Sequence, residues 1–156
     1  MTPAINLAKK RKIQFTVHQY QHDSDAKSYG LEAADKLGLA EEQVFKTLVV
    51  EFDGTALAVA ILPVNTSLSM KLMAKALGAK KVHMADKADV ERATGYVLGG
   101  VSPLGQKKRL KTIIDDSATK FPTIYVSAGR RGLEIELAAK DISKLLDGKF
   151  AEISQQ

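Results

Sequence analysis

Val44-Phe45-Lys46-Thr47-Leu48-Val49-Val50-Glu51-Phe52, then Asp53-Gly54, then Thr55 to Leu62, is the stretch that decides the fold. Two apolar, β-forming runs flank an Asp-Gly pair, the strongest short-range signal for a β-hairpin. The second arm, Ala56-Leu57-Ala58-Val59-Ala60-Ile61-Leu62, hardly alternates, so both of its faces should be covered. Pro63 ends it. In the first arm Lys46 breaks an apolar strand, and alternation puts Val44, Lys46 and Leu48 on one face. That lysine either snorkels at a strand end or points into a polar cavity, where its ammonium would anchor a phosphate or carboxylate.

Outward from the hairpin, strands and helices are interspersed without a βαβ rhythm. Thr2-Pro3 reads as an N-cap and first helical residue, ahead of Ile5, Leu7 and Ala8. Phe15 to Tyr20 reads as a strand, Gln21 to Lys27 as a loop, and Gly30 to Leu37 as a helix closed by Gly38. On the other side, Ser67 or Asn65 caps a helix to about Leu77, with Gly78 as its stop. A short strand at Lys81 to Ala85 and a helix from Asp86 to Gly95 follow. Strands are expected at Leu110 to Ile114, Thr123 to Ser127 and Leu133 to Leu137. Asp115-Asp116-Ser117 and Gly129-Arg130-Arg131-Gly132 read as turns. Asp141 caps a last helix that Gly148 terminates, and Phe150 to Ile153 docks before a frayed end. The pattern gives an α+β fold, one domain over 1–156, with a mixed, largely antiparallel, barrel-like sheet flanked by short helices.

The second informative stretch is Gly99-Gly100-Val101-Ser102-Pro103-Leu104-Gly105. Its glycines allow close backbone approach, and Pro103 fixes one φ and extends Ser102. Such a loop is either a tight structural connection or a rigid display of N–H groups for an anion or oxyanion.

Composition narrows the chemistry. The chain of 156 residues has no cysteine and a formal charge of +5, so disulfides, thiolate metal sites and a cysteine nucleophile are excluded. The basic balance points weakly to a polyanionic partner. No signal peptide and no membrane span are expected, which suits a cytoplasmic protein. His18 and His22 lack the intervening Glu of a zinc-protease helix, and Ser102 lacks a nucleophile elbow. Lys107, Lys108, Arg109 and Lys111 form either a solvated face or a phosphate track.

Phe45-Lys46-Thr47-Leu48-Val49, the hairpin end Leu62-Pro63, Thr94-Gly95-Tyr96, the glycine loop and Ile113-Ile114-Asp115 together resemble the YbaK-type aminoacyl-tRNA deacylases. These are freestanding relatives of the editing domain of bacterial prolyl-tRNA synthetase. The resemblance runs over nearly the whole chain and is nearest to the Cys-tRNA(Pro) deacylase branch. It implies a trans-editing hydrolase that removes cysteine from tRNA(Pro), and from tRNA(Cys) in some cases, by attack of the substrate's own thiol. It implies no cofactor and no metal. It implies aminoacyl-tRNA and prolyl-tRNA synthetase as partners. It assigns Lys46 to the terminal adenosine and its phosphate, and Gly99, Gly100, Val101, Ser102 and Pro103 to the reacting ester. Tyr20, Tyr29, Thr47 and Glu136 are added as substrate contacts. A deacylase for another amino acid, such as Ala-tRNA(Pro), and a non-catalytic tRNA- or synthetase-binding module are the alternatives.

Overall fold

A computed structural model describes residues 1–25 and 28–156. The expected loop from Gln21 to Lys27 therefore has its last two positions outside the described residues. The chain runs α1 (Pro3–Lys10), β1 (Thr16–Gln19), α2 (Tyr29–Leu37), β2 (Phe45–Phe52), β3 (Ala56–Pro63), β4 (Ser67–Leu68), α3 (Met70–Leu77), β5 (Val82–Met84) and α4 (Lys87–Thr94). It continues through β6 (Lys111–Asp115), β7 (Ile124–Arg130), β8 (Leu133–Leu137), α5 (Ala139–Leu146), β9 (Lys149–Ala151) and β10 (Ser154–Gln155).

The hairpin forms as its sequence dictates. β2 pairs antiparallel with β3 from Phe45 opposite Pro63 to Phe52 opposite Ala56. Asp53 and Gly54 turn the chain in positive-φ conformations, 45° and 107°. The hairpin is the centre of a five-stranded sheet in the order β5-β2-β3-β6-β9, with β6 parallel to both β3 and β9. A three-stranded antiparallel sheet, β1-β8-β7, lies against it, joined by a bridge from Val44 to Tyr125. The larger sheet keeps β5 and β9 as open edges, so it does not close into a barrel.

Both faces of β3 are covered. Val59 and Ile61 join Phe45, Ile114, Val126, Ile135, Leu137 and Ile142 in the core between the two sheets. Ala58, Ala60 and Leu62 pack with Met73, Leu77 and Ile113 under α3. Burying each of the larger side chains contributes roughly 1.5–3 kcal/mol against solvent exposure.

Four local expectations are corrected, two of them by pairing with the far end of the chain. α3 is capped by Ser69, whose Oγ accepts from Leu72 N–H, and not by Ser67 or Asn65. Ser67 and Leu68 instead pair with β10, so the expected frayed C-terminus is a strand. Asp115 fixes that end: its carboxylate is buried and accepts from Ser117 and from the N–H groups of Ile153 and Ser154. α5 starts after Ala138, with Asp141 inside the first turn, and ends at Asp147 with φ 51° rather than at Gly148. The turn expected at Gly129 to Gly132 shrinks to Arg131-Gly132, because a β-bulge between Ser127 and Arg130 prolongs β7. Among the described residues no helix is long and apolar enough to cross a membrane.

Candidate active site

The outer face of β8 is polar by alternation. Leu133, Ile135 and Leu137 point into the core, leaving Glu134 and Glu136 on the other side. Residues of β2 and of the start of α2 meet Glu134 around one space. That space is a cavity of about 330 Å3 lined by residues from six regions of the chain. That volume lies in the range of small-molecule sites.

Lys46 of β2 lines the cavity. Its Nζ donates to the carbonyl of Thr66 at 2.5 Å, which holds the ammonium and leaves two further donors. Partial burial pushes its pKa below the ordinary lysine value. Beside it Thr47 presents a buried Oγ1 with no hydrogen-bond partner among the described residues. Tyr20, just after β1, and Tyr29, the first residue of α2, complete the wall. Arg131 lies flat over Tyr29, its guanidinium carbon 3.8 Å from the ring centroid. Its Nε is likewise buried and unpartnered among the described residues. A buried polar group without a partner costs about 1–3 kcal/mol, and both of these belong to residues of the cavity lining.

The glycine loop forms another side, but only part of it. Gly99 and Val101 line the cavity. Gly99 has φ 98°, and a Cβ there would sit 2.6 Å from the Tyr29 ring. A Cβ on Gly100 would fall 2.8 Å from Arg130 Cα. Backbone therefore packs against backbone and ring, as a tight connection requires. Ser102 and Pro103 turn inward: Ser102 is fully buried, and its Oγ accepts from Leu104 N–H. Tyr96 anchors the loop, donating its hydroxyl to Leu104 O at 2.6 Å. Desolvation pushes the Tyr96 pKa up to about 12.

Of the ten residues expected from sequence, Lys46, Thr47, Tyr20, Tyr29, Gly99 and Val101 meet at this cavity, while Gly100, Ser102, Pro103 and Glu136 do not line it. Glu136 lies farther along β8, where it accepts from His18 Nε2 at 2.9 Å and Thr123 Oγ1 at 2.6 Å. Those partners hold its pKa below the ordinary value. The carboxyl in the cavity is Glu134, only 7% exposed. Burial pushes its pKa to about 8, so near pH 7 it is largely neutral. Glu134, Ser127, Arg130 and Arg131 are cavity residues that the sequence reading did not single out. The alternation of β8 was the available signal, and it does not say which glutamate lies under the cavity. Among the described residues no group of three His, Cys, Asp or Glu could hold a metal ion.

A family profile described as "Aminoacyl-tRNA editing domain" matches residues 23–145. The Enterococcus faecalis protein named "Putative Cys-tRNA(Pro)/Cys-tRNA(Cys) deacylase EbsC" is 39% identical over 153 residues, covering 98% of this chain and 93% of that protein. A "Proline--tRNA ligase" of Shouchella clausii is 38% identical over 127 residues, covering 75% of this chain and 22% of the ligase. In fold, the chain matches a structure described as "Crystal structure of a putative trans-editing enzyme for prolyl tRNA synthetase". The TM-score is 0.86 at 18% identity, over 99% of this chain and 96% of that one.

Proposed function

The chain belongs to the aminoacyl-tRNA editing domain family, and on that premise we propose that it hydrolyses Cys-tRNA(Pro), and Cys-tRNA(Cys) with it. The whole chain, 1–156, acts as one editing domain. The observation that carries this reading is the cavity itself: a tethered Lys46 ammonium, two tyrosines, two arginines and the buried Glu134 carboxyl around about 330 Å3.

The geometry suits an esterified nucleoside. Lys46 offers a fixed positive charge for the ester oxygen of the terminal adenosine. Glu134, neutral near pH 7, adds no negative charge to repel an RNA end. A second site of this kind is the usual answer where a synthetase pocket cannot reject a small amino acid well enough by binding.

The proposed reaction takes its nucleophile from the substrate. The cysteine sulfur attacks its own carbonyl carbon, a C–S bond forms, and the bond from carbonyl carbon to ribose oxygen breaks. The thiol proton ends on that ribose oxygen, giving free tRNA and a cyclic thioester that water opens. The protein then has only to orient the ester and stabilise the developing oxyanion. We assign that task to Lys46, with Gly99 and Val101 as the loop residues that line the cavity beside it. The synthetase for proline is the proposed partner that presents mischarged tRNA, and the cytoplasm is the proposed location.

The test follows release of labelled amino acid from tRNA(Pro) charged with Cys, Ala or Pro. Rapid loss of Cys alone, with the cyclic thioester trapped as first product, is the expected result. Loss of Ala alone reassigns the specificity. Stable esters in all three cases overturn the enzyme reading in favour of a binding module.

A further inference from the structure

A second depression of about 330 Å3 adjoins the first and shares Leu98, Arg130 and Arg131 with it. Its own wall includes Val97 and Gly95. Val97 is 71% exposed and Leu98 50%, two large aliphatic side chains side by side in solvent. They are not on a loose tip. Gly100 N–H donates to Val97 O, and Leu98 N–H donates to the Glu91 carboxylate, both at 2.9 Å. Tyr96 anchors the same segment from below. Cations flank it, beside the Glu91 carboxylate that holds Leu98: Arg131 lies flat on Tyr29, Arg130 is exposed, and the Lys107 stem lies against Gly95.

We propose that this depression is a subsite for the penultimate nucleotide of the RNA 3′ end. The base lies on Val97 and Leu98, and the phosphodiester linking it to the terminal adenosine lies at Arg130 and Arg131. The inference rests on the reading of the first cavity as the place of the esterified adenosine. Given that reading, the 5′ phosphate of the adenosine must leave the cavity, and the two arginines are the cations common to both spaces. Just past them lies a fixed apolar wall, which accepts the flat face of any base without reading its edge. Every tRNA carries the same 3′ end, so such a subsite adds affinity without adding tRNA identity. A concave, arginine-flanked wall fits an anion joined to a flat ring better than it fits a helix or strand of a partner protein.

The test separates the subsite from the chemistry. Calorimetric titration with adenosine 5′-monophosphate and with the dinucleotide CpA reads binding alone. CpA is expected to bind at least about tenfold tighter, an increment ordinary for one stacked base. Val97→Glu is expected to bring the two ligands within about twofold of each other, and Val97→Ala to give an intermediate loss. Thermal melts confirm that both variants are folded. In parallel, cysteine esters of adenosine and of CpA are assayed for hydrolysis. Equal affinity for the two ligands, or a CpA advantage that Val97→Glu leaves intact, overturns the subsite even if both esters are cleaved. A Val97-dependent advantage without cleavage of either ester keeps the subsite and overturns the catalytic reading instead. Loss of binding to a synthetase, with no change in CpA affinity, would assign the patch to a protein partner and overturn the proposal.

Discussion

Glu134 and Glu136 stand two residues apart on one face of one strand, yet they behave as different chemical groups. Glu136 is held by His18 and Thr123 and kept ionised. Glu134 shares a cavity lining with β2 and the start of α2, burial is the one cause acting on it, and its pKa rises to about 8. The strand supplies the same residue type in the same orientation at both positions. What differs is the layer above: paired side chains at one end, a cavity at the other. The site is made by the residues that gather around Glu134, not by the strand that carries it.

The largest expected effect separates the two carboxyls by pH. Below the ordinary glutamate value of 4.5, folded and unfolded chains both hold the Glu134 proton. Between there and about 8 only the folded chain keeps it, so stability falls as pH rises through that window. Replacing Glu134 with Gln should remove this loss and stabilise the protein at pH 9 by an amount on the order of a few kcal/mol. Chemical denaturation at pH 5, 7 and 9 measures it; a variant whose stability tracks the wild type across that range would break the contrast.

Next in size is the wall of the cavity. Gly99→Ala forces a side chain into a positive-φ position against the Tyr29 ring. It should cost about 1–3 kcal/mol in a melt and displace Tyr29, seen as a change in its ring resonances. An alanine accepted without cost would mean that the loop does not press on the site.

The smallest effects belong to the paired end and carry the opposite sign. The depressed Glu136 contributes stability at neutral pH that is lost as pH falls through its folded value. Glu136→Gln should therefore destabilise by about 1–2 kcal/mol at pH 7, and His18→Gln by about 1 kcal/mol. For Glu136→Gln the difference from wild type should shrink in acid. A cost that grows as pH falls would show that these contacts do not favour the ionised form.

The same distinction marks what could be read from sequence. The hairpin, the glycine ends of α2, α3 and α4, and the Thr2-Pro3 start of α1 were legible because each is decided within a few residues. The α3 cap was not, because Leu68 is drawn into pairing with Ser154 from the far end of the chain. Lys46 stood out as a charge in an apolar strand, and its two readings separate only once the cavity beneath it is formed. Glu134 was hidden for the reason given above: period-two alternation places both glutamates on one face, and only their neighbours in the fold, cavity residues for one and His18 with Thr123 for the other, distinguish them.

The most direct test of the account is the deacylation rate of Cys-tRNA(Pro) measured for two variants side by side, one at the cavity and one at the paired end of β8. Lys46→Ala, at the cavity, is predicted to lower kcat/KM by at least about a hundredfold. Glu136→Gln, at the paired end, is predicted to remain within about threefold of wild type. A large loss for Glu136→Gln with Lys46→Ala still active would contradict the placement of the chemistry in this cavity.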